Sequence, residues 1–138
     1  KSETGMKKVR VKPNPDPECP KRTSFMTKQE IKYEAMLPSK EWVDVGGGGH
    51  LGKLYLEILS CHDLPNMDVG EAVGNVTDPF VCAIFEDAMV QTPVLNDELS
   101  PHWLPWTQRA FVFNVMYPSS MLYLGVFDYD MGPLNPHE

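Results

Sequence analysis

Residues 121–130 read MLYLGVFDYD, and this stretch decides the fold. Apolar side chains occupy both alternating sets of positions from 122 to 127, which predicts a strand buried within a sandwich. Asp128 and Asp130 follow at a spacing of two, so their carboxylates point to the same side of the chain. Two such charges about 6 Å apart repel by about 3 kcal/mol at an effective dielectric near 20. A fold retains the pair if it is solvated, shares a proton or holds a cation.

Four more strands are expected before it, at residues 53–59, 78–86, 89–95 and 109–116. Pro93 lies in the third of these, and a proline cannot donate to a ladder, so that strand belongs at a sheet edge. Short strands divided by turn residues predict an all-β fold, an antiparallel β-sandwich. Trp103 and Trp106 are expected to pack beneath it.

The first fifty residues have a different character. Residues 1–27 are basic and rich in proline, which predicts an extended arm or linker. Thr27 and Glu30 have the spacing of a capping box, and both a short helix and a strand are open for the residues before Pro38. Residues 41–45 are expected to form a strand with Trp42 packed on apolar surface. The four glycines that follow reach only about 13 Å, so this strand can pair only at a nearby sheet edge.

Charge divides the chain in the same way. Residues 1–50 hold ten Lys/Arg and seven Asp/Glu, a net charge of +3, whereas residues 51–138 hold two and twelve, a net charge of −10. An acidic domain of this kind excludes nucleic acid as a partner, and anionic membranes too unless cations assist. The sequence has three cysteines without metal-site spacing, which predicts reduced, intracellular thiols. It contains no apolar run of membrane-spanning length and no signal-peptide pattern.

Two short motifs suggest enzymes, but their context excludes both. GGGGHLGK (46–53) resembles a phosphate loop, yet Leu54 stands where Ser or Thr is needed and opens a strand instead of a helix. SCHD (60–63) places Cys, His and Asp together, but neighbours in an extended chain point away from one another and cannot form a triad. We therefore expect no catalytic site in this chain, and any catalytic part lies outside it.

Carboxylates are the more informative groups. The long loop after the first domain strand carries Asp68 and Asp78. If this loop and the loop that holds Asp128 and Asp130 lie at one end of the sandwich, four carboxylates meet, and Glu138 could be a fifth. Ligand sets made only of oxygen suit Ca²⁺, which takes six to eight of them. The alternative is a solvated acidic rim.

Several motifs, in this order, resemble the C2 domain family. They are Leu64 to Asp68, Thr77 to Phe80, Ser100 to Trp103 and Asp128 to Asp130, and the likeness covers residues 51–138. C2 domains are eight-stranded sandwiches, and many bind calcium and then phospholipid. The family has about two more strands after the last of these loops, so the resemblance implies a domain that lacks its last strands.

The resemblance also implies site residues by position. The implied calcium ligands are Asp68, Asp78, Asp128, the backbone carbonyl of Tyr129, Asp130 and Glu138. The loop-tip residues implied to enter a membrane are Met67, Val69, Met131 and Leu134. Two features depart from the family: the first-loop aspartates are unusually far apart, and the lysine cluster of phosphoinositide-binding members is absent.

The expected function is a calcium-dependent phospholipid-binding module that is cytoplasmic and peripheral on a membrane. The chain then divides into a basic arm (1–27), a short element with a glycine linker (28–50) and an incomplete C2 domain (51–138). Residues 28–50 are either the tail of a preceding domain or a strand lent to this one. The main alternative is a calcium-independent scaffold in a larger assembly, whose partner holds the N-terminal arm. A regulatory domain of a lipid-acting enzyme or kinase is a third possibility.

Overall fold

The computed structural model describes residues 7–20, 22–67 and 76–129, which form eight strands and one helix. The strands are β1 (Lys8–Arg10), β2 (Phe25–Thr27), β3 (Val43–Gly46), β4 (Gly52–Glu57), β5 (Pro79–Phe85), β6 (Ala88–Gln91), β7 (Ala110–Val115) and β8 (Leu122–Asp128). The helix, α1 (Lys28–Ala35), lies between β2 and β3.

The strands form two three-stranded sheets and one small ribbon. One sheet has the order β3-β7-β4 and the other the order β6-β5-β8, while β1 and β2 pair with each other and with no other strand of the described residues. All pairs are antiparallel except β3 with β7. The predicted all-β sandwich is confirmed, with this one parallel pair added. The strand with Pro93 after it, β6, lies at a sheet edge as expected, and it ends at Gln91.

The core lies between the two larger sheets. Val81 and Phe85 of β5 face Phe111 and Phe113 of β7, and Trp103 fills the space beside them with none of its surface exposed. The indole N–H of Trp103 donates to the Pro93 carbonyl at 2.9 Å, so its polar group is satisfied inside the core. Alternate residues of β5 and β7 are therefore the ones that hold the sandwich together.

A strand forms close to the residues 41–45 at which one was expected, and it pairs with the sandwich. It begins at Val43 and runs parallel to β7, with Val43 opposite Phe111. Trp42 stays 41 % exposed and contacts the Tyr55 ring edge-on at 5.7 Å. Gly46 and Gly47 adopt φ values of 84° and 106°, which favour glycine, so the chain can turn back into β4 here. Strands before and after position 51 thus belong to one sheet. The division of the chain into segments 1–27, 28–50 and 51–138 stays a prediction.

Strand β8 is less buried than its apolar sequence predicts. Leu124 faces the interior beside Ala83, yet it is 58 % exposed, and Phe127 on the outer face is 49 % exposed. The reason is position: β8 lies at the edge of its sheet, and among the described residues only β5 pairs with it. The expectation of a strand buried within the sandwich is wrong for Leu124 and Phe127.

The question of helix or strand before Pro38 is settled in favour of a helix. The Thr27 side chain accepts from the Glu30 N–H at 3.1 Å, and the Glu30 carboxylate accepts from the Thr27 N–H at 2.8 Å. This reciprocal capping box satisfies two N–H groups at the start of the helix, and α1 begins at Lys28.

The N-terminal arm packs on the sandwich. Met26 of β2 is buried with Leu104 and Trp106, and Val11 and Ile31 pack around them. The Trp106 indole N–H donates to the backbone carbonyl of Lys12 at 2.7 Å. Trp106 thus lies under the arm and outside the main core, unlike the expectation that both tryptophans pack beneath the sandwich.

Arg109 joins the N-terminal segment to the sandwich from a fully buried position. Its guanidinium donates to the carbonyls of Ala35 (2.8 Å), Leu37 (2.7 Å) and Trp103 (2.7 Å). It also donates to the Ser39 hydroxyl at 2.7 Å and lies 3.6 Å from the Glu57 carboxylate. Two of these carbonyls are at and just beyond the end of α1, where a helix leaves them unpaired.

Replacing Arg109 by Met should destabilise the protein by about 3–5 kcal/mol, because the change leaves several buried acceptors without donors. Urea unfolding followed by tryptophan fluorescence measures this loss. Arg22→Met is the matched control, since Arg22 is exposed and its bonds within the described residues go to the carbonyls of Pro15 and Asp16, and about 0.5 kcal/mol or less is expected. Equal losses in the two variants would show that Arg109 does not hold the segment.

Candidate functional site

Asp78 and Asp128 lie together at one end of the sandwich. Asp78 immediately precedes β5 and Asp128 ends β8, and the antiparallel register sets Pro79 opposite Asp128. The Asp78 N–H donates to the Asp128 carboxylate at 3.0 Å, and the Tyr129 N–H donates to the Asp78 carbonyl at 2.9 Å. The structure thus brings together three of the residues that the sequence predicts for one site.

A third carboxylate, from Asp97, was not predicted. Its backbone N–H donates to the Asp78 carboxylate at 2.7 Å. Asp97 has φ of 51°, a left-handed conformation that Asn and Asp tolerate better than most residues. The Asn96-Asp97 pair is a typical turn sequence, so the turn could have been predicted, but its approach to Asp78 depends on the tertiary fold.

The surroundings of Asp78 disfavour its charged form. Desolvation by burial raises the pKa of this carboxyl most, and the charges of Asp97 and Asp128 raise it further. The hydrogen bond from the Asp97 N–H acts in the opposite direction, and the net result is a raised pKa. A cation placed between these carboxylates would remove the cost of bringing them together.

Thr77 anchors the loop that leads to Asp78. Its buried hydroxyl accepts from the Met67 N–H at 2.7 Å and donates to the Pro65 carbonyl at 3.2 Å. The two ends of the loop that contains Asp68 are therefore held beside each other. Met67, which is 41 % exposed, stands at the surface next to Asp68 in the sequence.

The remaining predicted site residues lie outside the described residues. They are Asp68, Val69, Asp130, Met131, Leu134 and Glu138. Within residues 7–20, 22–67 and 76–129, no three His, Cys, Asp or Glu side chains are arranged to hold a metal ion. The donors present are carboxylates and a backbone carbonyl, and this chemistry fits Ca²⁺ better than a metal that prefers nitrogen or sulfur. The described part of the site fits calcium as a partial ligand set.

The opposite end of the sandwich serves a structural purpose. The Glu86 carboxylate accepts from the N–H groups of Met116 (2.9 Å) and Tyr117 (3.0 Å) and from the Ser120 hydroxyl (2.8 Å). Burial raises its pKa, but these hydrogen bonds together outweigh burial and leave the pKa lowered. The Glu86 carboxylate thus serves to hold residues 116–120 in place, and Asp87 beside it is exposed.

Among the described residues, no helix is long and apolar enough to cross a membrane.

We expect Asp78→Asn to stabilise the calcium-free protein at neutral pH, because the folded state raises the pKa of Asp78. A raised pKa means that the stability from the neutral group is complete below the unfolded pKa of about 3.9 and is lost as pH rises through the folded value. The advantage of Asp78→Asn should therefore shrink as pH falls towards 4. Thermal unfolding in chelator at several pH values tests this, with Asp87→Asn as the control. An Asp78→Asn advantage that is constant with pH would contradict the electrostatic explanation.

Comparison with known proteins identifies the family. A family model described as C2 domain matches residues 52–136, more than half of the 138 residues. No curated protein matches the sequence.

Three solved structures are similar to part of the chain. The first C2 domain (domain A) of a plant extended synaptotagmin 1 is 21 % identical with a TM-score of 0.48, over 58 % of each chain. The calcium-bound pair of C2 domains, A and B, of extended synaptotagmin 2 is 23 % identical with a TM-score of 0.49, over 57 % of this chain and 29 % of that one. The SMP domain of extended synaptotagmin 2 together with the same two C2 domains is 20 % identical with a TM-score of 0.49, over 83 % and 23 %. This chain therefore spans 58 % or less of these proteins' lengths.

The family match includes Asp78 just before β5, Asp128 at the end of β8 and the turn that carries Asp97. Because the match covers more than half of the sequence, the chain belongs to the C2 domain family.

Proposed function

We propose that this chain is a calcium-dependent phospholipid-binding module without catalytic activity. The observation that carries the proposal is the meeting of Asp78, Asp97 and Asp128 at one end of a C2 sandwich. Burial, and then the charges of Asp97 and Asp128, raise the pKa of Asp78, and carboxylates held together in this way favour a bound cation. In the cell, such a module would be cytoplasmic and peripheral on a membrane.

The proposed calcium ligands come from two loops and one strand end. Asp78 and Asp128 each offer a carboxylate, and Tyr129 offers its backbone carbonyl. Asp68, Asp130 and Glu138 complete the set. Bound calcium would supply the positive charge that draws lipid phosphate to this acidic end. About two ions are expected, since six to eight oxygens surround each one and phosphate oxygens and water can share the coordination.

Four apolar side chains near these loops would enter the membrane surface. They are Met67, Val69, Met131 and Leu134. The exposure of Met67 supports its part in this set, because its side chain is available without unfolding the loop. Met is also well suited to irregular apolar surfaces.

A calcium-independent scaffold is the second candidate, and one observation favours it. The outer face of the sheet formed by β6, β5 and β8 exposes Ile84, Met89, Tyr123 and Phe127. Apolar patches of this kind are typical of protein interfaces. The order of the N-terminal arm, in contrast, does not require a partner, because the buried Trp106 and Met26 hold the arm on the sandwich. The calcium experiments below separate the two candidates.

Calcium should stabilise the protein against heat. An ion that binds only the folded state adds about 2.7 kcal/mol at a hundredfold excess over its Kd, which corresponds to a rise in Tm of roughly 10 °C. Asp128→Asn should lose most of this rise, whereas Asp87→Asn, an equal charge change at the opposite end, should keep it. Differential scanning calorimetry with calcium and with chelator measures both. Equal melting curves for the wild type in the two conditions would favour the scaffold.

Membrane binding should need the apolar loop tips as well as calcium. Burying a Met or Leu side chain contributes about 1.5–3 kcal/mol, so even partial insertion of both makes a measurable difference. Met131→Ser with Leu134→Ser should weaken calcium-dependent sedimentation with liposomes at least tenfold and leave the calcium-induced rise in Tm intact. Leu51→Ser with Met121→Ser is the control, since both side chains are exposed and lie away from the site. Unchanged sedimentation of the loop variant would show that these residues stay outside the membrane.

A further inference from the structure

The ribbon formed by β1 and β2 presents three cations on one face. Successive residues of a strand point to opposite sides, so Lys8 and Arg10 of β1 share one face and Val9 lies on the other. Val11, whose N–H donates to the Ser24 carbonyl, and Lys12 continue this alternation just beyond β1. The three cations are exposed and the two valines are partly buried. Arg10 lies directly opposite Phe25 of β2. We call Lys8, Arg10, Lys12 and Phe25 the basic ribbon.

Among the described residues, the cations of the basic ribbon have no acidic partner. No ion pair joins Lys8, Arg10 or Lys12 to a carboxylate in that part of the chain. The Arg10 guanidinium lies 5.2 Å from the centre of the Phe25 ring, a cation–π contact that keeps its charge exposed. Phe25 is itself 45 % exposed. The ribbon therefore presents an aromatic ring amid exposed positive charge.

The sandwich fixes the position of the basic ribbon. The face opposite the cations places Met26 against Leu104 and Trp106. The Trp106 indole N–H donates a hydrogen bond to the Lys12 carbonyl at 2.7 Å. Because the inner face is packed, the cations cannot turn inward, and they stay directed at solvent.

The ribbon lies at the same end of the sandwich as the candidate calcium site. Lys28 directly follows β2, and its ammonium group is 3.4 Å from the Glu98 carboxylate. Asp97, the residue before Glu98, donates its N–H to Asp78. One short path of contacts thus connects the end of the ribbon to the carboxylate pair.

From these observations we infer that the basic ribbon is a second membrane contact, which binds the phosphates of anionic phospholipid and needs no calcium. Lys and Arg near an anionic surface each contribute electrostatic attraction, and an aromatic ring beside them suits the boundary between headgroups and acyl chains. An acidic protein would satisfy the cations but would not explain the exposed ring among them or the contacts that connect the ribbon to the candidate calcium site. The inference goes beyond the proposed function, since neither Asp78 nor Asp128 takes part in it.

Vesicle binding in chelator tests the ribbon. We expect the wild type to sediment with vesicles of mixed phosphatidylserine and phosphatidylcholine and not with phosphatidylcholine alone, at about 0.1 M salt, where the Debye length is about 10 Å. Lys8→Gln with Lys12→Gln should weaken this binding roughly 10- to 30-fold, from about 1 kcal/mol for each charge. Lys8→Arg with Lys12→Arg should retain it.

The control variant makes the same change in net charge at a position far from the ribbon. Lys53→Glu lowers the net charge by two units, as Lys8→Gln with Lys12→Gln does. Lys53 lies at the end of β4 that pairs with Asn114, away from the ribbon. It should weaken vesicle binding less than threefold. All variants should melt like the wild type, because every altered side chain is exposed.

Three results would overturn the inference. They are no binding of the wild type to anionic vesicles in chelator, equal losses in the ribbon variant and Lys53→Glu, and ribbon-dependent binding to polyglutamate without binding to vesicles. The last would assign the surface to an acidic protein. A failure of calcium to increase vesicle binding, with the chelator result intact, would count only against the proposed calcium site.

Discussion

The buried guanidinium of Arg109 is the constraint on which the arrangement of this chain depends. It lies just before β7, the central strand of its sheet, and its donors reach back to Ala35, Leu37 and Ser39. A buried charge of this kind is costly unless all of its donors are used, and here carbonyls, a hydroxyl and Glu57 use them. Packing of α1, and hence of the ribbon before it and of β3 after it, follows from that requirement.

Sequence rules predicted the features that act over a few residues and missed those that join distant segments. Alternating apolar residues located the strands, the Thr27 and Glu30 spacing located the start of α1, and the family resemblance placed two loop aspartates at one end of the sandwich. Nothing local shows that Arg109 is buried, although it is the only arginine among residues 51–138. Asp97 reaches Asp78 only because the turn after β6 folds over the start of β5. Strand β8 has a core-like sequence, and its exposure reflects its place at a sheet edge.

Opposite charges meet at one end of the sandwich. Carboxylates of Asp78, Asp97 and Asp128 lie close together there, and the Lys28–Glu98 ion pair marks the boundary with the basic ribbon. Repulsion within the first group favours a cation, and the exposed positive charge of the second favours an anion. A membrane surface with bound calcium would satisfy both groups at once.

The most direct test of the proposed calcium site is a calcium titration followed by amide ¹H–¹⁵N correlation spectra. The amides of Asp78, Asp97 and Tyr129 each donate within the proposed site, so calcium should shift their signals together and to saturation. The amide of Tyr117, which is bonded to Glu86 at the opposite end, should not move. Unchanged signals for those three amides, or a larger shift at Tyr117, would contradict the account.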